Sequence, residues 1–378
     1  MMKKTTFVII ENSIDVTGSL KSAMASSYAF HDILEFIFIL PSGSQARKYV
    51  EERGYKVYEL PLHELKRNWG SWIIYFPWLI VNVVKLRRLL RKMDVQAIVV
   101  NDFYNLLPAA YRWSGGKLPY VCYVRFRPTR FPAILVNLWF SIQARFAQRI
   151  IAVSQTVLEE LPAHEKIIQI SDPLPTLEIQ THFSYDRDSR IILYLANYSQ
   201  GKGQEYALTA FSQIVQVHPE WRLRFVGSDM GLPKNKKFKR SLQMLSESLG
   251  MKEKVEWNDF STDVAKEYRA SALVLNFSDS ESFSLTCMEA LYAGRPVVAT
   301  RSGGPSEIIE DGVSGVLVPV KNVGEMKDAM DKLIREPALR QQMGAQGYAR
   351  VREKFDRAKT IQKLSTVYFP LVTENKEG

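Results

Sequence analysis

Short runs of consecutive apolar residues alternate along the chain with longer stretches of helical periodicity. In the first half the runs are "TTFVII", "EFIFIL", "YKVYEL", "VQAIVV", "PYVCYV" and "RIIAV"; in the second they are "RIILYL", "RLRFVG", "KVEW", "ALVLNF", "RPVVAT" and "GVLVPV". Most show no in–out alternation, the pattern of parallel strands buried on both faces. Strands separated by helical stretches predict doubly wound α/β units. Between the two sets lies "SDPLPTLEIQTHFSYDRDS" (Ser171–Ser189), with two prolines, many polar residues and little periodicity, which reads as a linker. The predicted organisation is a first domain over 1–175, a linker over 176–189, a second domain over 190–355 and a terminal helix within 356–378. Two such domains facing one another would form a cleft at the carboxyl ends of their strands, the usual ligand site in open α/β sheets.

Size and composition agree with this reading and narrow it. The 378 residues exceed the usual size of one core, and 46% hydrophobic with 24% charged residues is ordinary for a globular chain. After Lys3 and Lys4 the run "FVII" is too short for a secretory segment and reads as the first strand. Cys122 and Cys287 sit far apart in apolar segments, as small core residues of a protein in a reducing cytoplasm would. His31, His63, His164, His182 and His218 show no metal-ligand spacing, so no zinc is expected. Charge changes the picture more. Lys85–Arg149 holds twelve basic residues against two acids, Asp94 and Asp102, which accounts for the whole net charge of +10. Such a region implies an anionic partner. No zinc finger, RNP or helix-turn-helix signature supports nucleic acid as that partner.

Four stretches of the second half follow predicted strands and so reach the ligand edge. In "ANYSQGKGQ" two glycines flank Lys202, placing an ammonium suited to phosphate in a loop that a ligand can approach; a solvated turn lysine is the plain alternative. In "FVGSDMG", Gly227 ends a strand at the same edge. In "SDSESFSLTCMEALYAG" a helix is predicted from near Ser284 to Gly294, with Pro296 beyond. Its first-turn amides, at Ser284, Leu285 and Thr286, would be unpaired donors carrying partial positive charge. Glu281 then lies just before the helix, and Glu289 about a turn and a half inside it, at ~3.6 residues per turn. An acid among Leu285, Met288, Ala290 and Leu291 is costly unless hydrogen-bonded; ligand hydroxyls or an arginine from a neighbouring helix would satisfy it. In "TRSGGPSEIIEDGVSG", Ser302–Gly304 follows a strand and precedes a short helix starting near Pro305, where backbone amides can meet phosphate or sugar oxygens.

In this order and spacing the stretches resemble the retaining glycosyltransferases of family four, which have the GT-B fold of two Rossmann-like domains facing across a cleft. The resemblance is carried by "GKGQ", Glu281-x7-Glu289, "EALYAGRPVVAT", "GGPSEIIEDGVSGVLV" and the first-half stretch "RIIAVSQTV"; it covers nearly the whole chain, most specifically Ile191–Pro319. It implies a nucleoside-diphosphate sugar donor, of UDP or GDP type, with no cofactor and no dedicated metal site. Lys202 would hold the diphosphate, Glu289 the ribose hydroxyls, the Leu285 and Thr286 amides a phosphate, and Glu281 the donor-sugar hydroxyls near the anomeric carbon. In the first domain Gly18 of "DVTGSLKS" matches a glycine loop that approaches the diphosphate. Transfer would proceed by front-face displacement with an oxocarbenium-like transition state. The terminal helix would cross back onto the first domain.

The chain departs from the family pattern at several points. Asn197 stands where the family usually has an arginine, Ala196 where a glycine precedes it, and Ser282 and Ser284 replace the two glycines around the phenylalanine. A histidine usual in the first domain is replaced within "CYVRFRP", which offers Tyr123 and Arg125. Arg125 or Arg301 is therefore the expected source of the missing cationic contact, Arg125 acting at the reacting centre and Arg301 as an extra diphosphate contact. These departures also motivate a different reading: a degenerate, non-catalytic nucleotide-sugar-binding protein. Asp186-Arg187-Asp188 offers the D-x-D of a metal-dependent transferase of the other major fold, but it falls in the linker.

On the acceptor side, "WIIYFPWLIVNVV" (Trp72–Val84) leads into "KLRRLLRK". The run is shorter than the ~20 residues of a membrane span and Pro77 interrupts it. An interfacial helix has this composition, and so does a core helix ending in a solvated basic turn. Val124–Phe146 again mixes basic and aromatic residues. Peripheral contact with an anionic membrane, at its inner cytoplasmic face, and a saccharide or lipid-linked acceptor in envelope polysaccharide or lipopolysaccharide synthesis are the expectations.

Overall fold

The computed structural model describes residues 4–62, 69–174 and 188–373; the proposed linker and the Asp186-x-Asp188 pair lie largely outside them. The chain divides into two compact units, Met1–Pro173 with Arg357–Gly378, and Leu174–Asp356. In the first unit the strands are β1 (Thr5–Ile10), β2 (Leu34–Pro41), β3 (Lys56–Leu60), β4 (Val95–Val100), β5 (Tyr120–Val124), β6 (Arg149–Ala152) and β7 (Ile167–Gln169). The helices are α1 (Gly18–Tyr28), α2 (Ala46–Glu51), α3 (Trp69–Leu90), α4 (Leu107–Trp113), α5 (Ala133–Phe146) and α6 (Gln155–Glu159). The second unit holds β8 (Ile191–Leu195), β9 (Arg222–Val226), β10 (Val255–Asn258), β11 (Leu273–Asn276), β12 (Val297–Thr300) and β13 (Gly315–Val318). Its helices are α7 (Gln204–Ser212), α8 (Pro233–Ser248), α9 (Val264–Ala270), α10 (Leu285–Tyr292), α11 (Pro305–Ile308), α12 (Val323–Arg335) and α13 (Pro337–Lys354), and α14 (Arg357–Thr373) follows.

Both sheets are parallel, and both are doubly wound. The first runs β3-β2-β1-β4-β5-β6-β7 and the second β10-β9-β8-β11-β12-β13. In each, strand order reverses beside the first strand, between β1 and β4 and between β8 and β11. Connections after the reversal pass over the opposite face from those before it, because right-handed crossovers are nearly obligatory. The crevice opened at such a reversal is where open α/β sheets bind ligands.

Burial explains the continuous apolar runs. Phe7, Val8, Ile98, Val99, Val121 and Cys122 are at most 3% exposed, and so are Ile192, Leu193, Val274 and Leu275. A core strand covered on both faces has no polar side to alternate with. Each such large side chain contributes about 2 kcal/mol of burial. Among the described residues, β7, from "KIIQI", is the one strand the apolar pattern did not predict; it is three residues long, half-buried and at the sheet edge. Pro77, read as an interruption, lies inside α3 at an exposed position. The terminal helix α14 belongs to the first unit: the Tyr368 ring packs edge-on against Phe7 at 5.7 Å and its hydroxyl bonds that of Tyr123 at 2.7 Å.

Candidate functional site

The carboxyl edge of the second sheet brings most of the expected residues together at its reversal point. Lys202 lies in the loop after β8 and Glu281 in the loop after β11. Lys202 Nζ donates to Glu281 Oε1 at 2.7 Å, and Ser278 Oγ donates to the same oxygen at 2.7 Å. The lysine side chain is 36% exposed and the glutamate 14%. Tyr194, buried within β8, pins the two loops: its hydroxyl donates to the Lys202 carbonyl and accepts from Phe277 N at 2.9 Å. Burial pushes that hydroxyl well above the usual phenol range, so it keeps its proton.

A third loop closes on Glu281. Glu281 N donates to Ser302 O and Gly304 N donates to Glu281 O, each at 2.9 Å, which zips the Ser302–Gly304 turn to the acid in a short parallel bridge. The loop after β9 joins from the other side. Gly227 has room for no side chain, since a Cβ there would sit 2.0 Å from Ala196 O. The Asn197 side chain ties the same two loops by accepting from Ser228 N at 3.2 Å. Where an arginine would project, this asparagine secures backbone.

Ser284 caps α10, and Glu289 lies within that helix. The Ser284 hydroxyl accepts from Cys287 N at 3.4 Å and from Asn276 Nδ2 at 2.9 Å, while Met288 N bonds Ser284 O. The Leu285 and Thr286 amides precede the first helical bond, at partly exposed positions. Glu289 is 7% exposed, and Tyr268, on α9, donates its hydroxyl to Oε2 at 2.9 Å. Burial, with Glu289 alongside, raises the Tyr268 hydroxyl well above its ordinary value, fixing it as the donor. Tyr194, Tyr268 and Ser278 were missed in the sequence. The available signal was a tyrosine or serine at or beside the end of an apolar strand or helix facing the same edge.

Ser284 adopts φ 85, ψ 79, a left-handed conformation unusual for a residue with a Cβ. Strain of about 1 kcal/mol is held by its two hydroxyl bonds. Ser284→Gly is expected to change stability by under ~1 kcal/mol, because relief of strain offsets the lost cap. Ser284→Ala, which keeps the strain and loses both bonds, is expected to cost about 2 kcal/mol. Urea denaturation of the two variants distinguishes them.

Three expected residues lie elsewhere. Arg301, after β12, is half-exposed and pairs with Asp311 at 2.6 Å. Gly18 and Arg125 belong to the first unit, at the carboxyl edge of its own sheet. Gly18 opens α1, whose cap Thr17 accepts from Leu20 N at 3.2 Å. Arg125 follows β5 and is closed into a buried ion pair with Asp172, at 2.5 Å, and a bond to Asn101. Asn101 in turn donates to Glu11, which is 1% exposed and also accepts from Ser13 and Ser19.

Comparison with known proteins follows the same two-part division. Residues 35–170 match the family model for Glycosyltransferase Family 4, and residues 178–350 match that for Glycosyl transferases group 1. The N-acetyl-alpha-D-glucosaminyl L-malate synthase of Bacillus anthracis is 26% identical over 201 residues, 53% of this chain and 51% of that protein. The D-inositol 3-phosphate glycosyltransferase of Frankia alni is 31% identical over 164 residues, 42% of this chain and 40% of that protein. The chain thus spans about half or less of the length of these curated relatives. Among solved structures, Anabaena Alr3699/HepE in complex with UDP and glucose superposes with a TM-score of 0.80 at 18% identity, covering 96% of this chain and 99% of that one. Sucrose-phosphate synthase from Thermosynechococcus elongatus also gives 0.80, at 17% identity over 98% and 100% of the two chains. These likenesses share the fold of two parallel-sheet Rossmann-like domains. The first unit thus carries a match to Glycosyltransferase Family 4 and the second a match to Glycosyl transferases group 1, on the two-domain fold of the solved GT-B neighbours.

Proposed function

We propose that the protein transfers a sugar from a nucleoside-diphosphate sugar, with retention of anomeric configuration, to a saccharide or lipid-linked acceptor in cell-envelope polysaccharide or lipopolysaccharide synthesis. The observation that carries this reading is the Lys202–Glu281 pair beside the N-terminus of α10, at the reversal point of the second sheet. An ammonium and two free helical amides suit a diphosphate, and a carboxylate within reach of them suits the hydroxyls of the attached sugar. Glu289, buried in α10 and bonded by Tyr268, is the residue we give to the ribose hydroxyls. The UDP bound by Alr3699/HepE favours a UDP-type donor.

In this reading the bond between the anomeric carbon and the leaving phosphate oxygen breaks first. The acceptor hydroxyl adds to the same face of the sugar, and its proton passes to the leaving phosphate. The protein's contribution is electrostatic: Lys202 and the Leu285 and Thr286 amides stabilise charge developing on the diphosphate. Of the two arginines, Arg301 is the one solvent reaches, and we give it the extra diphosphate contact. Arg125, committed to Asp172, supports the carboxyl edge of the first sheet, where Gly18 opens α1. The basic charge of the first unit supports an acceptor site there, at the inner face of the membrane.

The test is calorimetric titration with UDP, GDP, ADP and their sugar conjugates, without added metal, on wild type, Lys202→Ala and Glu289→Ala. Binding of one nucleotide class, weakened at least tenfold (about 1.4 kcal/mol) in both variants, is the expected result. Binding without any sugar transfer or donor hydrolysis would favour the non-catalytic binding protein. Absence of binding to every nucleotide would overturn both readings.

A further inference from the structure

We propose that the outer face of α3, α4 and α5 docks on an anionic lipid bilayer. This deepens the proposed transfer by naming the surface on which a lipid-linked acceptor is met, and it rests on that reading for its biological use. The crossovers β3→β4, β4→β5 and β5→β6 all proceed in one direction across the sheet, which puts these three helices side by side on one face. Helix α3 packs on α4, and α4 on α5. Their inner sides are core: Val83, Leu86 and Leu90 on α3, and Val136, Trp139 and Phe140 on α5, are all buried.

The outer sides are apolar as well, and there the folded unit gives no reason. Phe76, Ile80 and Val84 recur every four residues along one line of α3 and are 53%, 68% and 44% exposed. Trp113 ends α4 at 78% exposure, and Ile134 and Leu138 on α5 are 77% and 48% exposed. Eight of the sixteen large apolar side chains exposed among the described residues lie on these three helices, a density that marks an interaction surface. Basic residues follow the apolar ones. On α3 and just beyond it, Lys85, Arg88, Arg91 and Lys92 are exposed, and on α5 Arg145 follows Leu138. Helices in this fold run against the strands, so the apolar halves of α3 and α5 share the end nearest the carboxyl edge.

Charge selects the occupant. A second copy of this face would set like charge against like, since Lys85, Arg88, Arg91, Lys92 and Arg145 are exposed there and α3, α4 and α5 contain no Asp or Glu. A polyanion in solution would answer the charge and leave the apolar line in water. An anionic bilayer answers both, with side chains entering the headgroup layer and ammonium and guanidinium groups meeting lipid phosphates. No helix among the described residues is long and apolar enough to cross a membrane, so the contact is a surface one.

The test is sedimentation of the full chain with vesicles of phosphatidylcholine, alone or with about one-third phosphatidylglycerol. Binding to the anionic vesicles is expected to be at least ~10-fold stronger than to neutral ones. Ile80→Ser with Leu138→Ser should weaken it by ~10-fold, and Arg88→Gln with Arg91→Gln should remove the preference for anionic lipid. Nucleotide titration of each variant, which reads the second unit, should be unchanged. Vesicle binding with no nucleotide binding would leave this surface standing and remove the proposed transfer. Equal binding to both vesicle types, or binding to anionic vesicles untouched by the serine substitutions, would overturn the proposal. So would a concentration-dependent dimer that the serine substitutions abolish.

Discussion

Replacing Lys202 by methionine is expected to lower kcat/KM by about 10²–10³-fold, the usual effect of deleting one well-placed group that stabilises developing negative charge. The methionine keeps the length of the side chain and removes the ammonium that now sits 2.7 Å from Glu281. The loss should appear in kcat as well as in donor affinity, because charge on the leaving diphosphate is greater in the transition state than in the bound donor. Stability should fall by only about 1 kcal/mol, since the pair is partly open to solvent and Glu281 keeps the Ser278 hydroxyl. Glu281→Gln in the same chain removes the stranded charge and should recover that stability without recovering turnover. Recovery of turnover in the double variant would mean that Lys202 serves the fold and not the donor.

Gly304→Ala is expected to have the largest combined effect on stability and activity. A Cβ at Gly304 would sit 2.1 Å from Phe283 O and 2.4 Å from Phe283 C and Cα, all backbone atoms with no flexible end to yield. The turn must therefore move, and its two hydrogen bonds to Glu281 move with it. Overpacking of this kind costs ~1–3 kcal/mol, and the second unit should unfold several degrees earlier. A displacement of about 1 Å at a reacting group lowers rate by ~10²-fold. Thermal unfolding and steady-state kinetics on the one variant check both. If stability falls while donor affinity and turnover stay at wild-type values, the Ser302–Gly304 turn is scaffold and no part of the site.

The apolar runs located the strands well because burial on both faces leaves a signature that is local in sequence. Strands β1, β4 and β13 begin where their apolar runs begin. The cap of α10 at Ser284 and its end before Gly294 were also legible, through the serine, the glycine and Pro296. The short edge strand β7 left too weak a pattern, since an edge strand of three half-buried residues needs no continuous apolar run. At the site, Lys202, Glu281 and Glu289 stood out as charges in apolar or glycine-rich surroundings. Their partners did not. Tyr268 is 21 residues from Glu289, and Ser278 reads as one serine among many.

By itself the sequence determined the alternation of strands and helices, the parallel character of both sheets, the glycines at close approaches and the charge excess between Lys85 and Arg149. These follow from burial, backbone sterics and composition, each readable over a few residues. Tertiary structure alone decided strand order, and with it the reversal between β8 and β11 that sets Lys202 against Glu281 across 79 residues of chain. It decided that Arg125 is spent on Asp172, that Asn197 secures a loop, and that Glu289 is answered by a tyrosine. It also sorted the apolar residues of α3 into a buried side and an exposed one. A pairing between distant residues depends on which strands lie side by side, and that order is fixed by the packing of whole elements, which no short stretch of sequence contains.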